Sequence, residues 1–527
     1  MPRDLPVGNG RVLINFDKEY CLRDIYYPHV GQENQTMGSR SRFGVWADGK
    51  FAWVGSSWQI ERKYMKESLV TDVFLRNEDL KLELRVHDTV DFEFDIFIRE
   101  IRIHDLSGKD RDVRLFFNHD FYISENEVGD TAYYDPATKS LIHYKKNRWF
   151  LINCKGKDAV GVEQWSTGKK GFGADGTWRD AEDGELGNNG IAQGSVDSTV
   201  RISASVPAGK EAIAYHWICF GTNYEDVTKL NTEVARRTPG SFIARNQNYW
   251  RLWVNPEYID FQNLPQKVID LFKRSLLVIK TQIDDGGAII AANDHDIAQF
   301  ARDTYSYMWP RDGALVAYSM SKAGYRAPAE RFFKFCHDVI KPEGYLLHKY
   351  NPDRSLASSW HSWVNNGEAV LPIQEDETAL VIWSLWHHFK KFRNVEFCAD
   401  LFKRLVENAG NFLLEYRDKE TGLPLPSHDL WEERYGVHLF TVASVIAGLD
   451  SASSFAHALG EMDSHEKFKK GADEIRAAMK LHMWSEEQGR FCRMAKRTAT
   501  GYDLDMNIDA SMYGIFAFNA LPVNDPK

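Results

Sequence analysis

A chain of 527 residues in which 27% are charged and 43% hydrophobic, with a formal net charge of −10, has the make-up of a soluble globular protein. One hydrophobic core rarely serves so long a chain, so two domains are expected. The negative charge and the absence of a basic stripe exclude nucleic acid as a partner, and short runs such as Lys145, Lys146 and Arg148, or Lys169 and Lys170, read as solvated faces. Six scattered cysteines (Cys21, Cys154, Cys219, Cys336, Cys398, Cys492) form no CxxC pair. Met1–Gly10 lacks the apolar core of a signal peptide, and no apolar run approaches the roughly 18 residues of a membrane span. Free buried thiols, a cytoplasmic location and no membrane contact are the expectation. The 16 tryptophans tilt the reading toward sugar binding only slightly, because aromatic rings also fill cores.

From about Val12 to Phe220 short runs alternate apolar and polar residues, as in Lys81–Val86, Phe92–His104, Val113–His119 and Thr199–Val206. That period of two predicts strands with one buried face, hence a large antiparallel sandwich. Thr167–Gly194, rich in Gly, Asp and Asn and without a period, predicts a surface excursion between strands. After Asn223 the spacing becomes helical. We assign residues 1–245 to a β-sandwich domain, 246–264 to a linker and 265–527 to a helical domain. Apolar residues at i, i+3 and i+4 predict helices over Gln266–Ile283, Gly313–Ala323, Ala327–Val339, Glu375–Phe392, Glu396–Tyr416, His438–Leu459, Ser464–Met483 and Ile508–Ala520. The connections between them hold most of the Trp, His, Asp and Glu worth attention.

Within those connections, Asp429-Leu430-Trp431-Glu432-Glu433-Arg434-Tyr435-Gly436 sets two adjacent carboxylates beside a Trp and an Arg. Glycosidic cleavage needs one acid kept protonated and other groups to hold sugar hydroxyls; acids favoured by a helix N-terminus are the competing reading. Tyr305-Ser306-Tyr307-Met308-Trp309-Pro310-Arg311-Asp312-Gly313 places an Arg and an Asp where they could bind vicinal hydroxyls, or merely begin a helix with a capping Asp and a surface Arg. Trp360-His361-Ser362-Trp363 could form a stacking wall or pack in a core. Gln374-Glu375-Asp376-Glu377-Thr378 opens a helix, where acids ordinarily serve the dipole. His387 and His388 lack the i, i+4 spacing of paired metal ligands. No phosphate loop, GxSxG elbow or HExxH is seen.

Taken in order, Gly8-Asn9-Gly10, Asp24-Ile25-Tyr26-Tyr27-Pro28, YMWPRDG, LLHKYNPDRS, SSWHSW, IQEDETAL and DLWEERYG resemble glycoside hydrolase family 15, the glucoamylases and their relatives, in its bacterial and archaeal branch. The resemblance implies an α+β multidomain chain, a β super-sandwich followed by an (α/α)6 barrel, and inverting, exo-acting release of β-glucose from maltooligosaccharides, isomaltose-type links or trehalose. It implies that Glu432 is the general acid. Trp309, Arg311, Asp312, Trp431 and Glu433 would then shape the subsite for the nonreducing glucose, Trp360 its wall, and Gln374, Asp376 and Glu377 its border. No metal and no redox or nucleotide cofactor is implied.

One part of the pattern is missing. The family's base is a glutamate late in the barrel, and nothing after Glu432 resembles its segment; Glu486, Glu487, Asp503, Asp505 and Asp509 sit in a polar turn or flank a helix start. Fewer helices are predicted than an (α/α)6 barrel contains. The expectation is therefore an incomplete toroid: either the barrel is truncated in this sequence, or it self-associates or is completed by another chain. The alternative is a carbohydrate-binding or regulatory homologue without a base. A phosphorylase on a similar toroid would depend on phosphate, and the WEE motif argues against it.

Overall fold

The computed structural model describes residues 4–157, 160–171, 173–257, 259–293, 303–365, 367–499 and 501–527. Contacts divide the chain into two compact units, Met1–Asp284 with Ala292–Ser306, and Asp285–Ala291 with Tyr307–Lys527.

The first unit is built from antiparallel strands in sheets of nine, six and four. Strand Ile96–Asp105 lies centrally in the nine-stranded sheet, between Leu82–Val90 and Glu211–Gly221. Its residues Phe97, Ile101 and Ile103 share one core with Val113, Leu115 and Phe117 of strand Arg111–His119 in the six-stranded sheet. Each such side chain, fully withdrawn from water, stabilises the fold by roughly 1.5–3 kcal/mol. The period of two is there, yet both faces are covered: Ile96 and Ile98 point into a second core with Val227, Val234, Phe242 and Ile243 of helices Tyr224–Arg237 and Pro239–Val254. The excursion 167–194 is pinned at its ends by strands Gln164–Gly171 and Ile191–Gly194.

The expected linker at 246–264 is in part the end of helix Pro239–Val254, whose Trp250 and Val254 are buried. Helix Gln266–Thr281 also groups with the first unit, and its Lys273 Nζ reaches Glu67 at 2.5 Å. Phe242 and Ile243 commit the first of these helices to the sheets, and Lys273 with Arg274, which donates to Ser68 O at 2.8 Å, ties the second, so the change of unit falls later in the chain than the change of sequence period.

In the second unit, helix Pro310–Lys322 packs on Glu375–Phe392, which packs on Leu439–Leu459, which packs on Met462–His482. The segment Val395–Glu415 is one helical stretch with a π-helical turn at Phe402–Glu407. Helix Leu439–Leu459 is apolar nearly all round and buried, as a central helix must be. Gly448 lets it approach its neighbour closely, since a Cβ there would lie 3.0 Å from Ala379. Among the described residues the helices fall short of a complete (α/α)6 toroid.

The helix expected over Ile508–Ala520 is instead a 3-10 turn, Ala510–Tyr513, and a short helix, Gly514–Ala517. Asp509 caps the turn by accepting from Ser511 N at 2.9 Å, and Asn519, with φ of 53°, ends the helix. A hairpin of Met494–Thr498 and Gly501–Asp505, unforeseen from sequence, pairs with strand Tyr435–His438.

Candidate active site

Trp309 precedes helix Pro310–Lys322, where Pro310 fits the first turn because its missing N–H would have no helical partner. Arg311 is 6% exposed, so the surface-Arg reading fails. Its guanidinium donates to Gln374 and to Asp376 Oδ1 (3.0 Å) and lies 3.1 Å from Glu377 Oε1, while its backbone N–H donates to Glu377 Oε2 at 2.5 Å. Asp376 Oδ2 in turn accepts from the Thr441 hydroxyl at 3.1 Å. One buried cation thus ties together the starts of three helices. Asp376 and Glu377 are fully buried against Arg311 and are not solvated acids serving a helix dipole; Asp376 is its counter-ion, while burial pushes the Glu377 carboxyl well above the usual range against the pull of Arg311.

Glu432 lies in the turn between short strands Ser427–His428 and Tyr435–His438 and not at a helix N-terminus. Asp429 closes this turn: its N–H donates to Arg434 O (2.9 Å) and its carboxylate accepts from Glu433 N (2.8 Å). Glu432 itself has φ of 59°, a left-handed conformation that costs a non-glycine residue roughly 1–2 kcal/mol. Three donors converge on its carboxylate. Oε1 accepts from Trp309 Nε1 at 3.0 Å and lies 2.6 Å from His348 Nε2; Oε2 accepts from Trp360 Nε1 at 2.9 Å. Burial alone would raise its pKa, but the bonds from His348, Trp360 and Trp309 outweigh it and hold Glu432 down at about 2. Asp312 behaves oppositely. Burial pushes it up, Arg311 opposes, and Asp376 and Glu432 add repulsion.

His361 packs 3.8 Å from the His348 ring and 5.0 Å from His428. Burial lowers all three imidazoles, His361 to about 3, so they are neutral at pH 7. Trp360, His361, Ile373, Tyr416, Ser427, His428 and Tyr435 line a cavity of about 370 Å³, at the small end of the range for ligand sites. Among the described residues, no group of three or more His, Cys, Asp or Glu is arranged to hold a metal.

Trp309, Arg311, Asp312, Trp360, Gln374, Asp376, Glu377 and Glu432 are linked by these bonds and fields. Trp431 and Glu433 are not: Trp431 is half exposed, and Glu433, with a 62% exposed side chain, pairs with Arg434 at 2.8 Å. Of the downstream acids, Asp505 and Asp509 are bound to Arg493, and Glu486 to Lys527. Sequence reasoning missed His348, Ser359 and His428; the first two lie in or beside quoted motifs, but no spacing marks them.

This fold, a β-sheet unit followed by a helical unit, is similar to that of a bacterial glucoamylase solved in complex with acarbose. The two share a TM-score of 0.75 at 17% identity, over 98% of this chain and 75% of that one. Residues 268–525, which hold every residue of the site, match the profile described as Glycosyl hydrolases family 15, and this part of the chain belongs to that family. An uncharacterized glycosyl hydrolase of Methanocaldococcus jannaschii is 24% identical over 99% of this chain and 80% of its own length. A glucoamylase of a Clostridium species is 24% identical over 49% of this chain and 33% of its own.

Proposed function

We propose that the chain is an inverting, exo-acting α-glucoside hydrolase that releases β-glucose from nonreducing ends, with Glu432 as the proton donor. What carries the reading is the Glu432 carboxyl framed by Trp309, His348 and Trp360 beside the Arg311 cluster. In this reading Asp312 and the Arg311 cluster hold the hydroxyls of the terminal glucose and Trp360 forms the wall, as acarbose-bound glucoamylase makes reasonable by analogy of fold. Inversion also needs a carboxylate roughly 6.5–9.5 Å from the acid to activate water. Oligomer formation or a partner chain that completes the toroid belongs to the same proposal.

One observation favours a second reading, a carbohydrate-binding or regulatory homologue: the three donors keep Glu432 ionised in the free protein. Proton NMR of the wild-type protein with maltose, isomaltose and trehalose separates the two. The hydrolase reading expects β-glucose first, with Glu432→Gln losing roughly 10²- to 10⁴-fold in kcat and keeping sugar affinity within a few-fold. Binding without release of glucose from any of these sugars selects the second reading, and α-glucose appearing first sinks inversion.

A further inference from the structure

Resting on the reading of Glu432 as the proton donor, we infer that Ser359 and His348 form a relay behind it, in which Ser359 fixes the histidine tautomer and His348 sets the acidity and orientation of the carboxyl.

The ionised Glu432 Oε1, 2.6 Å from His348 Nε2, can only accept, so His348 Nδ1 in turn accepts from the Ser359 hydroxyl at 2.8 Å, nearer than His361 Nδ1 at 3.5 Å, while the Ser359 oxygen accepts from the backbone N–H of His361 at 3.1 Å. With Nδ1 an acceptor, the neutral ring carries its proton on Nε2. That proton points at Glu432 Oε1 across 2.6 Å. The Trp309 indole N–H lies 3.1 Å from His348 Nε2 and 3.0 Å from Oε1, so with Nε2 protonated it too is taken by Oε1. Two donors therefore anchor Oε1. Among the described residues Oε2 has a single donor, the indole of Trp360, a residue 50% exposed. Oε2 is the oxygen placed to exchange a proton with a ligand.

The other groups facing the relay are Lys349 and Arg311 as cations near His348, Asp312 as an acid near Glu432, and the neutral rings of His361 and His428. Glu432 is the acid to which His348 donates directly.

During cleavage the proton on Oε2 passes to the glycosidic oxygen, which also takes the electron pair of the breaking bond to the anomeric carbon. Water adds to that carbon and sheds its proton to a carboxylate base, as inversion requires. Glu432 is left as a carboxylate, and the Nε2–H of His348, which never leaves the ring, stabilises it. His348 is thus a positioning residue that makes Glu432 a stronger acid, while narrowing the pH range in which that acid is protonated.

The test uses full-length His348→Gln and Ser359→Ala, with Ser359→Ala deciding alone if the buried His348 variant does not fold. Two readouts are taken: titration of the Glu432 carboxyl in protein labelled with δ-¹³C glutamate, its signal assigned by Glu432→Gln, and the pH profile of kcat/KM on maltose. In both variants the carboxyl should titrate about one pH unit or more higher, the basic limb should move up with it, and the plateau rate should fall. A folded variant whose carboxyl titration and basic limb stay put overturns the relay. If the wild type releases no glucose, the proton-donor reading falls, and the carboxyl titration by itself decides whether His348 sets the charge of Glu432.

Discussion

Arg311 and Glu432 show two opposite ways of keeping a charge out of water. Arg311 is surrounded by Gln374, Asp376 and Glu377, so removing it leaves the buried Asp376 carboxylate without a counter-charge. Arg311→Ala should destabilise the helical unit by roughly 3–5 kcal/mol, read as a lower denaturation midpoint, whatever it does to sugar binding. The role of Arg311 was partly legible: an Arg and an Asp behind a Trp at the start of a predicted helix already pointed to a site. Burial of Asp376 and Glu377 was not legible, because acids in a first helical turn look the same whether they face water or an arginine. Residue types alone did not tell Glu432 from Glu433; the family resemblance did. They are neighbours in the chain, and only the left-handed backbone of Glu432 sends one carboxylate to His348 while the other pairs with Arg434. His348 was hidden for a simpler reason, since its meaning comes from a residue far along the chain that folding brings to it.

At the scale of elements, the helices with a long amphipathic period were readable, and the pieces without one were not. Glu375–Phe392 has the predicted ends, whereas the strands flanking the Glu432 turn are too short for any period to register. Strand Ile96–Asp105 displays a limit of a different kind: alternation reveals which residues share a face, but not that helices cover the second face. Helix crossings depend on single small residues. Gly448→Val would push a branched side chain against Ala379, already 3.0 Å from a bare Cβ. It should cost roughly 1–3 kcal/mol, measured as a lower unfolding midpoint, and should separate Leu439–Leu459 from Glu375–Phe392.

Over the whole molecule, the stability of the fold carries a pH dependence that the proposed chemistry does not need. Glu375 is 1% exposed, and burial pushes its pKa up to about 8 against the weaker, lowering effect of the neighbouring Ser427 side chain. In the unfolded chain it ionises near 4.5. The folded state therefore binds the proton more tightly, and this contribution to stability is whole below pH 4.5 and is lost as pH rises to about 8. The slope for one such group is roughly 1.4 kcal/mol per pH unit. Glu375→Gln should flatten that loss, so that thermal melts of variant and wild type diverge toward pH 8 with the variant higher. The six buried, unpaired thiols, Cys21, Cys154, Cys219, Cys336, Cys398 and Cys492, add nothing to this dependence near neutrality, because burial holds each of them above its ordinary range. Helix Leu439–Leu459, with a mean hydropathy of 1.4, has the length and composition of a membrane span, yet 83% of its apolar window is buried inside the protein. While the polypeptide is still being made, that span leaves the ribosome with Glu375–Phe392 already synthesised and Met462–His482 still to come. At roughly 5–20 residues per second, one side of a greasy rod waits on the order of seconds for its cover. The amphipathic helix that follows directly after Gly460 and Glu461 keeps this interval short, so the order of elements along the message shields the nascent protein from aggregation.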